Sequence, residues 1–280
     1  MFLKYRILLL IAVVAFLSQS CNEYQKVLKN ADVKAKYDLA EKYYESKDFK
    51  RANRLFEQIA PQYVGKPQGE RVQFFLADTY YLVKNYNFAG YQFERFIKSY
   101  PKSDKAAEAS FLGAKSYFML SPKYSLDQTD TEKALVKLQS FINTFPESEF
   151  IPEANIMAKE LTTKKEKKAF EIAKQFTKLG NSYILDYSIA AVAALDNFVS
   201  DYPGTIFREE ALYLKLVATT NLALNSTLNK KKERLATAEA AYDNLLKYYP
   251  NTSFLKDADN LREKVNQEMI SFKDQENLAK

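Results

Sequence analysis

Histidine and tryptophan are absent from the 280-residue chain, and cysteine occurs once, at Cys21. Without histidine there is no Ser-His-Asp triad, no Cys-His pair and no histidine-bearing zinc site, and a lone thiol forms no intramolecular disulfide. Six glycines and eight prolines fall well short of the usual combined share of roughly 12%. That excludes collagen-like, low-complexity and turn-rich all-β chains. No phosphate-binding loop is present, because Gly65 and Gly69 are isolated and no Gly-Lys-Ser/Thr follows them. Asp127 and Asp130 pair two carboxylates, but on a stretch that reads as a loop without a pocket. No enzyme, metal site or bound cofactor is expected.

What the chain has is aromatic and helical. Twenty Phe and twenty Tyr supply ample core material, so global disorder is excluded. Lys and Arg number 41 against 35 Asp and Glu, a net charge of +6 that falls near +4 if Lys4 and Arg6 leave with a signal peptide. This mild, mixed surplus does not point to nucleic acid. The runs Lys164-Lys165-Glu166-Lys167-Lys168 and Lys230-Lys231-Lys232-Glu233-Arg234 lack interleaved aromatics and read as solvated helix faces.

Residues 1–20 read as a secretory signal. Lys4 and Arg6 precede the uncharged apolar run Ile7 to Leu17, 11 residues long, where a spanning helix needs about 20. The run ends at Ser18-Gln19-Ser20-Cys21. This resembles a bacterial lipobox, in which the cysteine thiol receives diacylglycerol and the chain is cleaved just before it. Ser18 stands where a lipobox usually has Leu, with Leu17 one place further back. The alternative is a free thiol after an ordinary signal. Acylated, Cys21 becomes the new N-terminus and carries a covalent lipid, two or three acyl chains being enough for stable anchoring. Residues Asn22 to Asn30 then read as a polar tether.

Beyond residue 30 the apolar spacing is helical and the sequence repeats. Leu39-Ala40-x-x-Tyr43 followed by Phe49-x-x-Ala52-x-x-x-Phe56-x-x-Ile59 returns 37 residues later as Leu76-Ala77-x-x-Tyr80 and Tyr86-x-x-Ala89-x-x-x-Phe93-x-x-Phe96. Gly113-Ala114-x-x-Tyr117 begins a third copy, completed late by Ala134, Leu138 and Phe141. Ala191, Leu195 and Phe198 mark another second half, and Leu245 and Leu246 a weaker one. The small residues let two helices of a hairpin approach closely, and the large aromatics fill the layer between hairpins. The order matches the tetratricopeptide (TPR) pattern. The expected fold is all-α: a TPR-like helical-hairpin solenoid of about five repeats, closed by a capping helix over about Phe254 to Phe272.

Four repeat ends share a signature, aromatic-Pro-x-Ser/Thr: Tyr100-Pro101-Lys102-Ser103, Phe145-Pro146-Glu147-Ser148, Tyr202-Pro203-Gly204-Thr205 and Tyr249-Pro250-Asn251-Thr252. Proline disfavours helix at the residue before it, and the hydroxyl residue reads as the N-cap of the next helix. Residues 121–130 lengthen the turn of the third hairpin and are expected to protrude. Pro152 to Leu179 forms either one long helix or two. In such stacks the first helices of the hairpins line the inner surface, and register places Tyr37, Tyr44, Phe74, Tyr81, Phe111 and Phe118 there, with Glu41, Asp78 and Lys115 in a charged row. Exposed aromatics of this kind suit an extended peptide.

Together the lipoprotein signal, the tether, the five hairpins and the recurrent Phe-x-x-x-Tyr-Pro-x-Ser ending resemble the BamD (YfiO-like) outer-membrane assembly lipoproteins over about residues 15–255. Tyr63-Val64 replaces the first Tyr-Pro, and the stretch from Leu179-Gly180-Asn181-Ser182-Tyr183 to Tyr202-Pro203 is similar to that family's fourth hairpin. The resemblance implies a non-catalytic scaffold on the periplasmic face of the outer membrane, of Bacteroidetes-like type. Its partners would be the POTRA domains of a BamA-like barrel and unfolded outer-membrane protein precursors. Precursors would lie along the N-terminal aromatic row, and the C-terminal hairpins would hold the barrel. The implied organisation is signal 1–20, lipidated tether 21–33, N-terminal repeats 34–150, C-terminal repeats with the cap 151–272, and tail 273–280. Another TPR envelope lipoprotein acting as an adaptor is the alternative.

Overall fold

The computed structural model describes residues 23–30, 32–180 and 184–278, except for the side chains of 276–278. The signal segment, Cys21, Asn22 and the Asn181-Ser182-Tyr183 stretch lie outside the described residues. Among the described residues every regular element is helical: α1 (residues 23–29), α2 (Val33–Glu45), α3 (Phe49–Ile59), α4 (Gly69–Leu82), α5 (Tyr86–Ser99), α6 (Ala106–Leu120), α7 (Thr129–Thr144), α8 (Ile151–Gly180), α9 (Leu185–Asp201), α10 (Arg208–Leu224), α11 (Leu228–Tyr248) and α12 (Leu255–Leu278). A 3-10 turn, Ala60–Tyr63, follows α3. Consecutive helices pack as the hairpins α2/α3, α4/α5, α6/α7 and α10/α11, Phe170 and Ala173 of α8 cluster with Leu195 and Phe198 of α9, and α12 is laid on α10 and α11. This is the expected TPR-like helical-hairpin architecture. None of the described helices is long and apolar enough to cross a membrane.

The repeat residues do what their sizes dictate. Ala40, Ala77 and Ala114, and across the hairpins Ala52, Ala89, Ala134 and Ala191, are all buried. Phe56, Phe93, Phe96, Phe141 and Phe170 are the largest fully enclosed side chains. Gly90 marks the closest approach of α5 to α6, since a Cβ there would stand 2.8 Å from the Tyr117 ring.

The chain divides into two compact units. Unit 1 runs to Leu161 without residues 123–126, and unit 2 holds those four residues and everything from Thr162. The division therefore falls inside α8, where the sequence suggested 150/151. α8 is one continuous helix, which settles the question left open at the Lys164–Lys168 run.

Four local expectations are corrected. The polar tether is, over its described residues, a docked helix: Tyr24 of α1 is buried, its ring edge-on to Tyr43 at 5.6 Å, and Arg51 stands 5.5 Å from the Tyr24 ring centre and 5.3 Å from that of Tyr43. An apolar tyrosine body and two partly buried aliphatics, Val27 and Leu28, outweigh the polar residues between them. The 121–128 loop does not simply protrude. Lys167 of α8 sits 4.5 Å from the Tyr124 ring centre and Lys168 Nζ donates to the Leu126 carbonyl at 2.8 Å. The cationic run supplies those two contacts, so it is not merely a solvated face.

The hydroxyl after each aromatic-Pro pair is not a helix N-cap. Each next helix starts three residues later, and the hydroxyl accepts from the backbone N–H two residues on, as in Lys105 N–H to Ser103 Oγ at 3.0 Å and Phe254 N–H to Thr252 Oγ1 at 3.3 Å. This caps a short turn rather than the helix. Ser103 and Thr252 also donate to the first-turn glutamates of the preceding A-type helices, Glu70 and Glu209.

Candidate functional site

Within unit 1 the first helices of three hairpins, α2, α4 and α6, run in register. Two cross-helix bonds at equal spacing fix this: Tyr44 donates to Asp78 Oδ2 at 2.6 Å, and Tyr81 hydrogen-bonds Lys115. Tyr44 and its 37-residue equivalent Tyr81 thus meet, on the next first helix, Asp78 and its equivalent Lys115, each pair 34 residues apart.

The contacts continue along this face. Tyr37 donates to Glu41 Oε1 at 2.6 Å, and Glu41 pairs with Arg71 at 2.8 Å. The Arg71 guanidinium lies 5.2 Å from the Phe75 ring centre, and that ring is 4.5 Å from Tyr44. Lys115 pairs with Glu153 at 2.7 Å and stands 5.5 Å from the Phe111 ring centre.

Between the helices opens a cleft of about 450 Å³, lined by Tyr44, Pro67, Glu70, Arg71, Phe74, Phe75, Phe96, Lys105 and Glu108. Aromatic faces form its walls, and two cations and two carboxylates its rim. Lys105 and Glu108 pair across 2.7 Å, and Lys105 also caps the Phe74 ring at 5.4 Å.

Electrostatics follow from burial. Asp78, 8% exposed, has its carboxyl pushed above the ordinary range by desolvation, partly offset by the Tyr44 hydroxyl. Burial and then the bond to Asp78 push the Tyr44 phenol far up. Burial and then the bond to Glu41 push Tyr37 up to about 12. Burial alone would lower Lys115, but its bonds to Glu153 and Tyr81 outweigh that and raise it. The cleft presents an amphipathic surface, aromatic walls beneath a rim of mixed charge.

Of the nine residues singled out by register, Tyr44 and Phe74 line the cleft and Asp78 sits behind Tyr44. Tyr37 with Glu41, and Tyr81 with Lys115, form the neighbouring steps. Phe118 is half-buried against the second cluster of unit 1. The continuous open aromatic ladder is not what the structure shows. Phe111 is 2% exposed and stacked on Phe150 at 4.7 Å, and Phe74 is 7% exposed with its ring against Phe93 and Phe96 and under Lys105. That register position points toward the second helix of its own hairpin, where apolar rings are drawn into the core.

Sequence reasoning missed Phe75, Arg71, Lys105, Glu70 and Glu108. One signal was available: Arg71 and Phe75 are four apart on one helix, a spacing that brings cation and ring together.

The chain matches the YfiO family model, described as outer membrane lipoprotein, over residues 29–185 and 179–272. None of the curated proteins compared matches it. The match spans most of the sequence, and the chain belongs to the YfiO family of outer membrane lipoproteins.

Proposed function

We propose, from that membership, that the protein is a lipid-anchored, non-catalytic scaffold of the outer-membrane β-barrel assembly machinery, facing the periplasm. Cys21 carries the lipid. The unit 1 cleft receives an extended segment of an unfolded barrel precursor, and the hairpins of unit 2 hold the periplasmic POTRA domains of a BamA-like barrel.

The observation that carries the reading is the cleft. An aromatic or branched side chain fits between Tyr44 and Phe75. The strand's backbone polar groups would meet Arg71, Lys105, Glu70 and Glu108 at the rim. Such a site holds a chain by side-chain burial at intervals with polar partners between, which suits many related segments rather than one sequence. Binding and positioning, with no bond made or broken, is the whole mechanism.

The test is affinity purification of the protein from envelopes in mild detergent, with a photo-crosslinker placed at Phe75. A stoichiometric barrel with POTRA domains, and precursor adducts at Phe75, support the reading. Recovery of peptidoglycan enzymes or other envelope proteins in place of the barrel would make the chain an envelope adaptor of another kind.

A further inference from the structure

The helix α1 has a geometric consequence. Tyr24 is locked against Tyr43 near the end of α2 and against Arg51 at the start of α3, and Glu23 lies 4.0 Å from Lys42. The chain therefore enters unit 1 beside the turn between α2 and α3. The register bonds Tyr44–Asp78 and Tyr81–Lys115 set the ends of α2, α4 and α6 along the same edge.

That edge has an unusual composition. The α2/α3 and α4/α5 turns end their first helices alike: Asp48 N–H donates to Tyr43 O at 2.8 Å and Asn85 N–H to Tyr80 O at 2.9 Å. This closure requires a left-handed residue, normally glycine or asparagine. Here the residues are Lys47 at φ 63° and Lys84 at φ 64°. A lysine is strained there, yet both turns carry one. Both side chains are exposed and have no ion-pair partner among the described residues. Beside them stand exposed apolar side chains at helix ends: Leu82, Phe88 and Met119, at 37%, 54% and 46% exposure. Asp48, the neighbouring acid, is held by the α3 N-terminus and Arg51, and Glu45 is an exposed carboxylate beside the first turn.

Cations interleaved with exposed Phe, Leu and Met, on the edge where the N-terminal segment enters, have the chemistry of a surface that meets a lipid interface. We propose that this turn edge of unit 1 lies flat against anionic phospholipid headgroups, with Lys47 and Lys84 on phosphates and Phe88, Leu82 and Met119 dipping between them. It rests on the reading of Cys21 as the lipid-bearing residue. The acyl chains would fix the distance, and this edge would fix which side of the hairpins faces the membrane.

The absence of tryptophan makes a clean test. Phe88→Trp places a single indole on the edge. Lys98→Trp places one at the opposite end of α5, ten residues and ~15 Å away. Each full-length protein, purified from membranes, is reconstituted in phosphatidylglycerol-containing vesicles with brominated lipid, and indole quenching is read. The expected result is quenching at least about twofold stronger for Phe88→Trp, reduced by added salt and by Lys47→Glu with Lys84→Glu. Equal quenching at the two positions, or none at either, overturns the proposal. The mass of the Cys21 peptide reports acylation separately. An unacylated Cys21 would remove the anchor reading, while the contrast between the two indoles still decides the edge.

Discussion

Units 1 and 2 are built from the same hairpin but join successive hairpins with different chemistry. In unit 1 phenols on carboxylates, Tyr44 on Asp78 and Tyr80 on Glu57, with Tyr81 on Lys115, stand beside ion pairs such as Glu41 with Arg71 and Glu94 with Lys137. In unit 2 ion pairs predominate, Lys174 with Glu210, Lys215 with Asp196, Lys231 with Glu268 and Arg262 with Glu239, beside the phenol of Tyr242 on Asp259. A tyrosine brings a rigid ring as well as a donor, so unit 1 gains a fixed aromatic surface from its own cross-ties. A lysine brings a flexible stem and a point charge, so unit 2 gains cohesion without such a surface. The cleft lies where the ties are aromatic, which is why binding of an extended chain is assigned to unit 1.

The comparison breaks most sharply at the core. Phe93→Ala removes a fully buried ring touching Phe74 and is expected to destabilise unit 1 by about 3–5 kcal/mol. Hydrogen exchange should then accelerate across α2–α6 while α9–α11 keep their protection. Equal loss in both would show that the two units unfold as one.

Lys231→Ala tests the other style. Its ammonium donates to the Leu224 carbonyl and to Glu268 of α12, and its loss is expected to take about 2 kcal/mol from the docking of α12. Exchange should rise first in α12, and unchanged α12 protection would make the ion pair incidental. A smaller effect, about 1 kcal/mol, is expected for Tyr44→Phe, which leaves Asp78 without its hydroxyl donor. Crosslinking at Phe75 should persist, because the ring remains; its disappearance would show that the hydroxyl itself contacts the bound chain.

The last test is alkali. The Tyr37 phenol, raised from 10.0 to about 12 by burial and Glu41, favours the folded state while protonated. Its contribution is intact below pH 10 and is lost as pH rises through 10 toward about 12. Tyr24, Tyr44, Tyr63, Tyr80, Tyr81 and Tyr117 are raised in the same direction in unit 1, against Tyr213 and Tyr242 in unit 2. Phenolate absorbance followed with circular dichroism should show ionisation coupled to helix loss. Exchange should place the first opening in unit 1, and simultaneous opening of both units would remove the distinction.

The hairpins were legible in the sequence because their signal is local and repeated: the alanines at the crossings, the phenylalanines between layers and the proline after α5, α7, α9 and α11 recur in the same order. The cleft was legible only in part. Register identifies which helix a side chain belongs to and roughly which face, but Phe74 and Phe111 lie at the boundary between face and core. There the neighbouring hairpin decides, and Phe96 and Phe150 pull them inward. Docking of α1 was not legible either. One buried tyrosine among Lys, Glu and Gln carries too weak a periodicity to separate a helix from a tether.

The hydroxyl that follows each aromatic-Pro pair governs where this protein can vary in length. Residues 100–105, 145–150, 202–207 and 249–254 are four connectors of the same span between a second helix and the next first helix. Ser103 and Thr252, bonded both to their own turn and back to Glu70 and Glu209, act as spacers that tolerate neither slack nor crowding. Among the described turns inside the hairpins, the one between α6 and α7 is the longest, residues 121–128. Insertions are therefore expected to be tolerated least in these connectors, where an added residue would break the tie of the hydroxyl to its own turn or to the glutamate of the preceding first helix.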